Sequence, residues 1–431
     1  MVDNLRSESK KLGTMYFIVA ATLFGAQILF GLIAGTQFVF SGFLFETLDF
    51  NVARMVHINA LVVWLLYAMI GSVYYLLPDE TKVETVGIAL GKLGFYVLTL
   101  AVTVVVLIFL ANVYLTAMKG ERTGIITVLM ADLLALAGLY LAGMFYTNNI
   151  SIDQYWWWWV IHLWVEATWE VFVAAVIGWA LIKVIGANRQ IVEMWLWIEV
   201  AMLFGSGILG IGHHYFWIGT PEYWWEIGAL FSALEPVPLV AMFVHVMYDW
   251  GKEKGVQEGR GEKAQMNNTP AFLWFCASAF GNFLGAGIWG FFHTLPQMNI
   301  YTHGTQFTSA HGHLAFFGAF AMAMIAMFYM GVQGSKKELK MTSLTRWGFS
   351  LITIGVVGMT VALTIAGYGQ VMIERAQFGA TWDAYFIGQS SPWYIQAMGW
   401  RLAMGLVTFV GFVCLIYDLL TIKNAKINQD L

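Results

Sequence analysis

The chain has 431 residues, of which 59% are hydrophobic and 11% are charged. A soluble globular protein carries about 25% charged residues, so the composition excludes an ordinary soluble enzyme and predicts a membrane protein. The formal net charge of −4 argues against a nucleic-acid partner. Cys276 and Cys414 both lie in apolar runs and no CxxCH motif occurs, so any c-type heme must belong to another subunit.

Apolar segments long enough to span a bilayer follow one another along the chain, since about 20 residues suffice. The sequence predicts eleven of them, roughly at 13–37, 54–77, 87–118, 123–146, 157–185, 190–212, 224–249, 269–292, 306–333, 344–368 and 394–421. The connections between these segments are short. The polar residues at the start of the sequence are followed by an apolar run of full length, which we interpret as a first span rather than as a cleaved signal peptide. We therefore expect an all-α polytopic bundle in the lipid bilayer, with one transmembrane domain over 1–431 and cytoplasmic tails at 1–12 and 422–431.

Positive charge is distributed unevenly among the connections. Lys and Arg occur at both termini and at 186–190, 250–265 and 334–343, whereas 147–156, 213–223 and 293–305 have none. By the positive-inside rule the first set is cytoplasmic and the second external.

The run at 87–118 conflicts with this assignment, because Lys82, Lys92, Lys119 and Arg122 make both of its ends basic. One helix cannot return to the side it left, and eleven spans cannot leave both termini inside. Either this run is not a simple span or a helix is missing.

Six of the nine histidines fall at one depth, at the predicted external ends of four spans. They are His57, His162, His213, His214, His311 and His313. Lone buried histidines are common in helix cores, but six at a shared depth indicate ligands of metals or hemes.

His311 and His313 are two residues apart, which is about 200° around a helix. Their imidazoles face opposite sides, so they cannot share one metal but can each bind a heme on one flank. His57 can then complete bis-histidine ligation of one heme, and the other heme keeps an open axial position for a small gas molecule.

His213 and His214 are adjacent at a helix end, where His162 can join them from the neighbouring helix. Glu166 lies one turn after His162 on the same face and adds an oxygen ligand. Nitrogen ligands with a carboxylate and an open position suit non-heme iron(II), whereas three imidazoles alone would suit copper.

Two further carboxyl groups lie at membrane depth, where ionisable residues usually have functional roles. Glu235 precedes Pro236 and Pro238 in mid-span, and Glu170 follows Glu166 by one turn. We interpret both as groups that tune the metal site or pass protons.

Five long motifs carry a resemblance over nearly the whole chain: NVARMVHINALVVWLL, YWWWWVIHLWVEATWE, GIGHHYFWIGTPEYW, FSALEPVP and YTHGTQFTSAHGHLAFFGA. They resemble the heme–copper oxidase superfamily and, within it, the catalytic large subunit of cytochrome c-dependent nitric oxide reductase. Oxygen reductases of the superfamily usually supply a tyrosine cross-linked to a metal-ligating histidine. The position one turn after His162 is instead Glu166, as in nitric oxide reductases.

The resemblance implies two b hemes and one non-heme iron. His57 and His313 would bind the low-spin heme b, and His311 the high-spin heme b. The iron would be held by His162, His213, His214 and Glu166, with catalytic roles for Glu166 and Glu235.

The implied reaction converts two nitric oxide molecules, two electrons and two protons into nitrous oxide and water, as a respiratory step of denitrification. The implied setting is the inner membrane of a bacterium, beside a membrane-anchored cytochrome c subunit that donates electrons. The family takes protons from the outer side and does not pump them. The lack of a long N-terminal extension also favours a cytochrome c partner over quinol.

The chain departs from the family between its second and fifth helices. The family has twelve spans, and its longer segment there carries glutamates that help bind a calcium ion, so we leave calcium unassigned. Two alternatives stay open: an oxygen reductase of the same superfamily, and a diheme electron-transfer protein without the non-heme iron.

Overall fold

The computed structural model describes residues 7–97, 102–216, 218–259, 266–334, 336–377 and 382–427. Within these ranges the chain is almost entirely helical, with an isolated β-bridge between Asn268 and Leu339. The predicted all-α fold is therefore confirmed. The α-helices are α1 (Glu8–Val39), α2 (Phe50–Thr81), α3 (Ile88–Val97), α4 (Val102–Lys119), α5 (Gly124–Ala142), α6 (Ile150–His162), α7 (Glu170–Ile185), α8 (Arg189–Gly210), α9 (Tyr223–Ser232), α10 (Val237–Gly259), α11 (Thr269–Asn282), α12 (Gly290–Thr294), α13 (Pro296–Thr302), α14 (Gln306–Gly312), α15 (Met322–Gln333), α16 (Ser343–Ala376), α17 (Trp382–Ser390) and α18 (Pro392–Ile427).

Shorter segments of other helix types interrupt or extend these α-helices. Leu163–Trp169, Phe283–Trp289 and His313–Ala321 are π-helical, and Ile211–His214 is a 3₁₀ helix. Such irregular turns often occur at functional sites, and here they contain or adjoin most of the predicted ligand histidines.

Ten helical segments of the described residues are long and apolar enough to span a membrane. They are Glu8–Val39, Phe50–Thr81, Gly124–Ala142, Ile150–Ile185, Arg189–His214, Tyr223–Lys252, Thr269–Thr294, Gln306–Gln333, Ser343–Ala376 and Pro392–Ile422. Ten of the eleven predicted spans are found among the described residues, and the remaining one, at 87–118, is represented there by α3 and α4, with 98–101 outside the described residues.

The two ends of that run lie side by side. The Val86 N–H donates to Thr116 Oγ1 at 2.9 Å, and the Glu121 N–H donates to the Thr81 carbonyl at 2.8 Å. The run therefore starts and finishes at the end of α2 and does not cross the membrane as one helix. The adjacency of the two ends accords with the positive charge found at both of them.

By backbone contacts the described residues divide into two compact units. The first, which we call the metal unit, comprises 1–18, 67–279 and 322–340, and the second, the histidine unit, comprises 19–66, 280–321 and 341–431. The single domain over 1–431 stays a prediction. The predicted tails at 1–12 and 422–431 lie partly outside the described residues, and α1 already begins at Glu8.

A group of ion pairs joins helix ends within the metal unit. Arg189 contacts Glu80 at 2.8 Å and Glu193 at 3.2 Å, and Thr123 Oγ1 donates to Glu80 at 2.8 Å. Lys10 contacts Asp79, the residue before Glu80, at 2.8 Å. These contacts, which we call the charged end, place the starts of α5 and α8 beside the end of α2. Which side of the membrane this end faces stays a prediction.

The histidine unit has a core built on α14, α16 and α18. Its fully buried members are Ala310, Leu363, Ala366, Tyr394, Ala397 and Met398. Glycines bring α16 and α18 into backbone contact, since a Cβ at Gly355 would lie 2.7 Å from the Met404 carbonyl oxygen. This scaffold carries the histidines discussed below.

Candidate metal centre and heme-binding histidines

The end of α6 and the π-helix that follows it position two of the predicted metal ligands. His162 is the last residue of α6 and is only 1% exposed. Glu166 lies in the π-helix, and its Oε2 is 3.4 Å from His162 Nδ1. The sequence reasoning expected both side chains on one helical face, and the π-helical turn brings them together.

The end of α8 positions the other two predicted metal ligands, His213 and His214. The helix tightens into the 3₁₀ turn Ile211–His214, so that two consecutive histidines can both point inward. Glycines allow this close approach: a Cβ at Gly212 would lie 1.9 Å from the Trp224 carbonyl oxygen, and one at Gly228 2.3 Å from the His213 nitrogen. α9 therefore packs directly against the backbone of the histidine pair.

These four side chains form a compact donor set in which one atom from each lies within 4.8 Å of all the others. His214 Nε2 is 3.2 Å from His162 Nδ1 and 3.4 Å from Glu166 Oε1, and His213 Nε2 is 3.8 Å from Glu166 Oε1. Bonds of about 2.0–2.2 Å to a shared metal put neighbouring ligand atoms about 3.0–3.5 Å apart. The spacing and the mixed nitrogen and oxygen donors fit a first-row transition metal, including iron(II).

Glu235 contacts the far side of the His162 ring. It lies in the break between α9 and α10, is 3% exposed, and places Oε1 3.5 Å from His162 Nε2. Its Oε2 accepts from the Ser232 hydroxyl at 3.0 Å. With Nδ1 turned to the donor set, Nε2–H faces this carboxyl group, which is the outer partner that metal-ligating histidines usually have.

Aromatic side chains hold the outer edge of the cluster. Trp158, one turn before His162, stacks on His214 with ring centroids 4.5 Å apart and an interplanar angle of 9°. Tyr215 packs on Tyr155 at 4.8 Å, and burial raises the pKa of Tyr215 to about 12. The Tyr215 phenol therefore stays protonated and neutral near the metal ligands.

In the histidine unit, His57 and His313 face one another. Their ring centroids are 6.4 Å apart and their planes differ by 25°. Each Nδ1 lies against a backbone carbonyl, Gln27 O at 2.8 Å and Ser309 O at 2.7 Å, which leaves both Nε2 atoms for a ligand between them. Two metal–nitrogen bonds of about 2.0–2.1 Å give a centroid separation of about 6.4 Å, so the pair fits a bis-histidine heme.

His311 is separated from that pair, as its two-residue offset from His313 predicts. Its Nδ1 is 3.0 Å from the Gly285 carbonyl oxygen. Glycines make room here: a Cβ at Gly290 would lie 3.2 Å from His311 Cε1, and one at Gly281 2.6 Å from Gly318 Cα. Glycines in the run 281–290 thus allow close helix packing.

Arg401 is a residue that the sequence reasoning missed. It lies ten residues into α18, and its Nε is buried without a hydrogen-bond partner. Its charge lies close enough to act on both His57 and His313. A partly buried guanidinium beside two heme-ligand candidates suits a carboxylate of the heme itself. The signal was available, since an arginine inside an apolar span is unusual.

Glu170 is the other carboxyl group singled out from the sequence. It opens α7, is 5% exposed, and interacts electrostatically with Glu235, Glu199 and Glu166. Glu199, on α8, was not recognised from the sequence. The metal unit therefore holds four buried or partly buried carboxyl groups near one another, of which the sequence identified three.

This fold and donor set define a membrane-embedded metalloenzyme, and comparison with known proteins gives its family. The model of the family "Cytochrome C and Quinol oxidase polypeptide I" matches residues 11–130 and 122–407. The chain therefore belongs to this family, the heme–copper oxidases, and is a multi-pass membrane oxidoreductase.

The similarity to one relative is more specific than the family match. The chain is 36% identical over 463 residues to a subunit of the nitric oxide reductase of Stutzerimonas stutzeri, covering 96% of this chain and 95% of the relative. A cryo-EM structure of a heme–copper terminal oxidase dimer shares its fold, with a TM-score of 0.66 and 14% identity over 96% of this chain and 84% of that one.

Proposed function

We propose that this protein is the catalytic subunit of a nitric oxide reductase that converts two nitric oxide molecules into nitrous oxide and water. The observation that carries the proposal is the position of Glu166, whose carboxylate lies 3.4–3.8 Å from ring nitrogens of all three histidines. A hard oxygen ligand among imidazoles favours iron over copper. The 36% identity to the nitric oxide reductase chain of Stutzerimonas stutzeri supports the same conclusion.

In this proposal the ligands are those implied by the resemblance. His162, His213, His214 and Glu166 hold a non-heme iron. His57 and His313 hold a low-spin heme b, and His311 holds a high-spin heme b. When bound, these groups would supply the electrons and the Lewis-acidic metals at which nitric oxide is reduced.

The protein's own residues orient the ligands and handle protons. Glu235 Oε1 lies 3.5 Å from His162 Nε2 and so favours the ring orientation with Nδ1 towards the metal position. Backbone carbonyls of Gln27 and Ser309 hold Nδ1 of His57 and His313, so that Nε2 of each ring faces the heme position, and the Gly285 carbonyl contacts Nδ1 of His311. Arg401 supplies a partly buried positive charge for a heme carboxylate.

Two protons are consumed for each nitrous oxide formed. Glu235 lies next to the donor set and is almost fully buried, so it can hold a proton close to the reacting atoms. Glu166, which is partly exposed on its other side, is the second group that can deliver one.

We further propose that the enzyme works in the inner membrane of a bacterium, with a membrane-anchored cytochrome c subunit as electron donor. No CxxCH motif is present in the sequence, so a c-type heme would come from that partner. Nitric oxide is small and apolar and can reach the buried centre from the bilayer.

Metal analysis and turnover of the purified complex test this function. We expect two b hemes and one further iron for each chain, nitric oxide consumption with a reduced donor, and nitrous oxide as product. Glu166→Ala should lose most of the non-heme iron and the activity while keeping both hemes. Glu226→Gln, at an exposed position on α9, is the matched control and should change neither.

Two other results would contradict the proposal. Copper in place of the third iron, together with oxygen consumption, would identify an oxygen reductase. Two hemes without further iron and without turnover would identify a diheme electron-transfer protein.

A further inference from the structure

Gln27 is a buried residue of α1 that contacts α2 at two points. Its backbone carbonyl oxygen accepts from His57 Nδ1 at 2.8 Å, and its side-chain Oε1 accepts from Trp64 Nε1–H at 2.7 Å. Gln27 is 6% exposed and Trp64 is fully buried, and all three residues belong to the histidine unit. One residue of α1 therefore joins a proposed heme ligand to a tryptophan that has no role in the site described so far.

The spacing along both helices makes this double contact possible. Trp64 follows His57 by seven residues (64 − 57), which is about two turns, so both side chains lie on one face of α2. On α1, Gly31 lies four residues after Gln27, and its N–H is the helical donor to the same carbonyl, whose two lone pairs can accept both bonds. A Cβ at Gly31 would lie 2.7 Å from the His57 ring. The imidazole reaches the carbonyl because residue 31 has no side chain.

Packing fixes the Trp64 indole on its other face. It stacks on Phe24 with ring centroids 4.5 Å apart and an interplanar angle of 27°. Phe24 is fully buried and packs in turn on Phe412 at 4.9 Å and on Phe317 at 5.7 Å. Phe24 precedes Gln27 by three residues, so α1 presents both to the indole from one face. A buried indole N–H that lost its acceptor would be left unsatisfied at a cost, so this geometry holds Trp64 and the Gln27 side chain together.

The bond from His57 Nδ1–H to the carbonyl affects the other nitrogen of the ring. A donor bond of this kind makes the imidazole a stronger ligand and fixes the orientation of its plane. The His57 and His313 planes differ by 25°, and the spectrum of a bis-histidine heme depends on this angle. Both properties depend on how closely α1 approaches α2 at Gln27, and the Gln27–Trp64 bond holds the two helices together at that level.

We propose that Gln27 and Trp64 are positioning residues for the low-spin heme: their hydrogen bond keeps the α1 carbonyl against His57 Nδ1 and so sets the donor strength and the plane of this ligand. Without the bond, the contact to Nδ1 lengthens and Nε2 becomes a weaker donor. A weaker donor stabilises the oxidised heme less, so the reduction potential rises. The inference rests on the bis-histidine heme of the proposed function and adds to it the two residues that tune this heme.

Two single variants of the complete complex remove the bond from opposite sides. Gln27→Met keeps the length of the side chain but has no amide oxygen, and Trp64→Phe keeps a ring on Phe24 but has no N–H. In a spectroscopic redox titration, each should shift the equilibrium of the low-spin heme towards the reduced form by at least about threefold, or about 28 mV at 59 mV per tenfold for one electron. The paramagnetic resonance lines of the oxidised low-spin heme should move in the same direction in both variants.

A double variant and a matched control separate this role from a general packing defect. Gln27→Met and Trp64→Phe break the same bond, so together they should shift the potential by little more than either alone, whereas independent effects would add. Trp195→Phe is the control, because it removes an indole N–H that donates to His245 Nδ1 at 3.1 Å in the metal unit. It should leave the potential and the resonance lines of the low-spin heme unchanged.

The possible results keep this inference apart from the proposed function. If the wild type contains no bis-histidine heme, the heme assignment fails and the inference fails with it. If the wild type contains that heme and reduces nitric oxide, wild-type potentials and resonance lines in both single variants would overturn the inference alone. Additive shifts in the double variant, or loss of both hemes and the iron from both single variants, would show a general structural role and would also overturn it.

Discussion

His162 and Glu235 form the contact on which the arrangement of the metal cluster depends. Nε2 of His162 is 3.5 Å from Glu235 Oε1, while Nδ1 of the same ring faces Glu166 Oε2 at 3.4 Å. One buried imidazole thus lies between a proposed metal ligand and an outer carboxyl group. Partners of this outer kind tune metal affinity by about 10–100-fold.

Glu235→Ala should therefore weaken iron binding without removing a ligand. We expect the chelator concentration that removes the non-heme iron to be about 10–100-fold lower for the variant than for the wild type. Both hemes should be retained. Glu235→Gln should have a smaller effect on iron retention, because its amide oxygen can still face His162 Nε2. Iron retention equal to the wild type in Glu235→Ala would show that this contact does not support the metal site.

Gly31 provides the space that His57 occupies. A Cβ at Gly31 would lie 2.7 Å from both Cε1 and Nδ1 of the His57 ring. Gly31→Ala should displace the imidazole, break its bond to the Gln27 carbonyl, and reduce the low-spin heme signal in the optical and paramagnetic resonance spectra. Gly399→Ala, with open space around it, is the control, and an unchanged low-spin signal in Gly31→Ala would contradict the proposed ligation.

Arg401 should set the redox potential of the low-spin heme. Its partly buried positive charge acts on His57 and His313 and disfavours the oxidised, more positive heme. Arg401→Met should lower the midpoint potential by at least about 60 mV, a tenfold change for one electron. A spectroscopic redox titration measures this shift, and Arg401→Lys should retain much of the wild-type potential. An unchanged potential in Arg401→Met would place the heme away from this guanidinium.

The charged end should contribute strongly to stability. The Glu80 side chain is fully buried and is paired with Arg189, so Arg189→Met leaves a buried carboxylate with only the Thr123 hydroxyl. Removing one partner of a fully buried pair costs about 3–5 kcal/mol, and the loss here should be smaller because the Arg189 side chain is 38% exposed. We expect a clear fall in the thermal unfolding temperature in detergent. Lys340→Met, from an exposed pair with Glu338, should leave the temperature unchanged.

The α3–α4 run should return to the side from which it starts. In a background without Cys276 and Cys414, we expect Lys82→Cys and Glu121→Cys to react with a membrane-impermeant maleimide from the same side. Ile150→Cys, 78% exposed beyond the far end of α5, should react only from the opposite side. Labelling of positions 82 and 121 from opposite sides would contradict the observed adjacency of Thr81 and Glu121.

The local pattern of the sequence predicted ten of the membrane helices, because apolar length is a property of each segment alone. The eleventh predicted span came from the same rule: composition cannot distinguish one long helix from α3 and α4 folded beside each other. Only the contacts of Val86 with Thr116 and of Thr81 with Glu121 decide that. The charge pattern did indicate a conflict at that run, since both of its ends are basic.

For the site, the sequence by itself determined which residue types are present, at what depth, and that His311 and His313 must face opposite flanks. Their helical spacing is enough for that conclusion. The tertiary structure decided that His57 faces His313, that Glu235 contacts His162, and that Arg401 and Glu199 lie near functional groups. These relations join residues tens to hundreds of positions apart, and they arise from helix packing, which no local sequence period encodes.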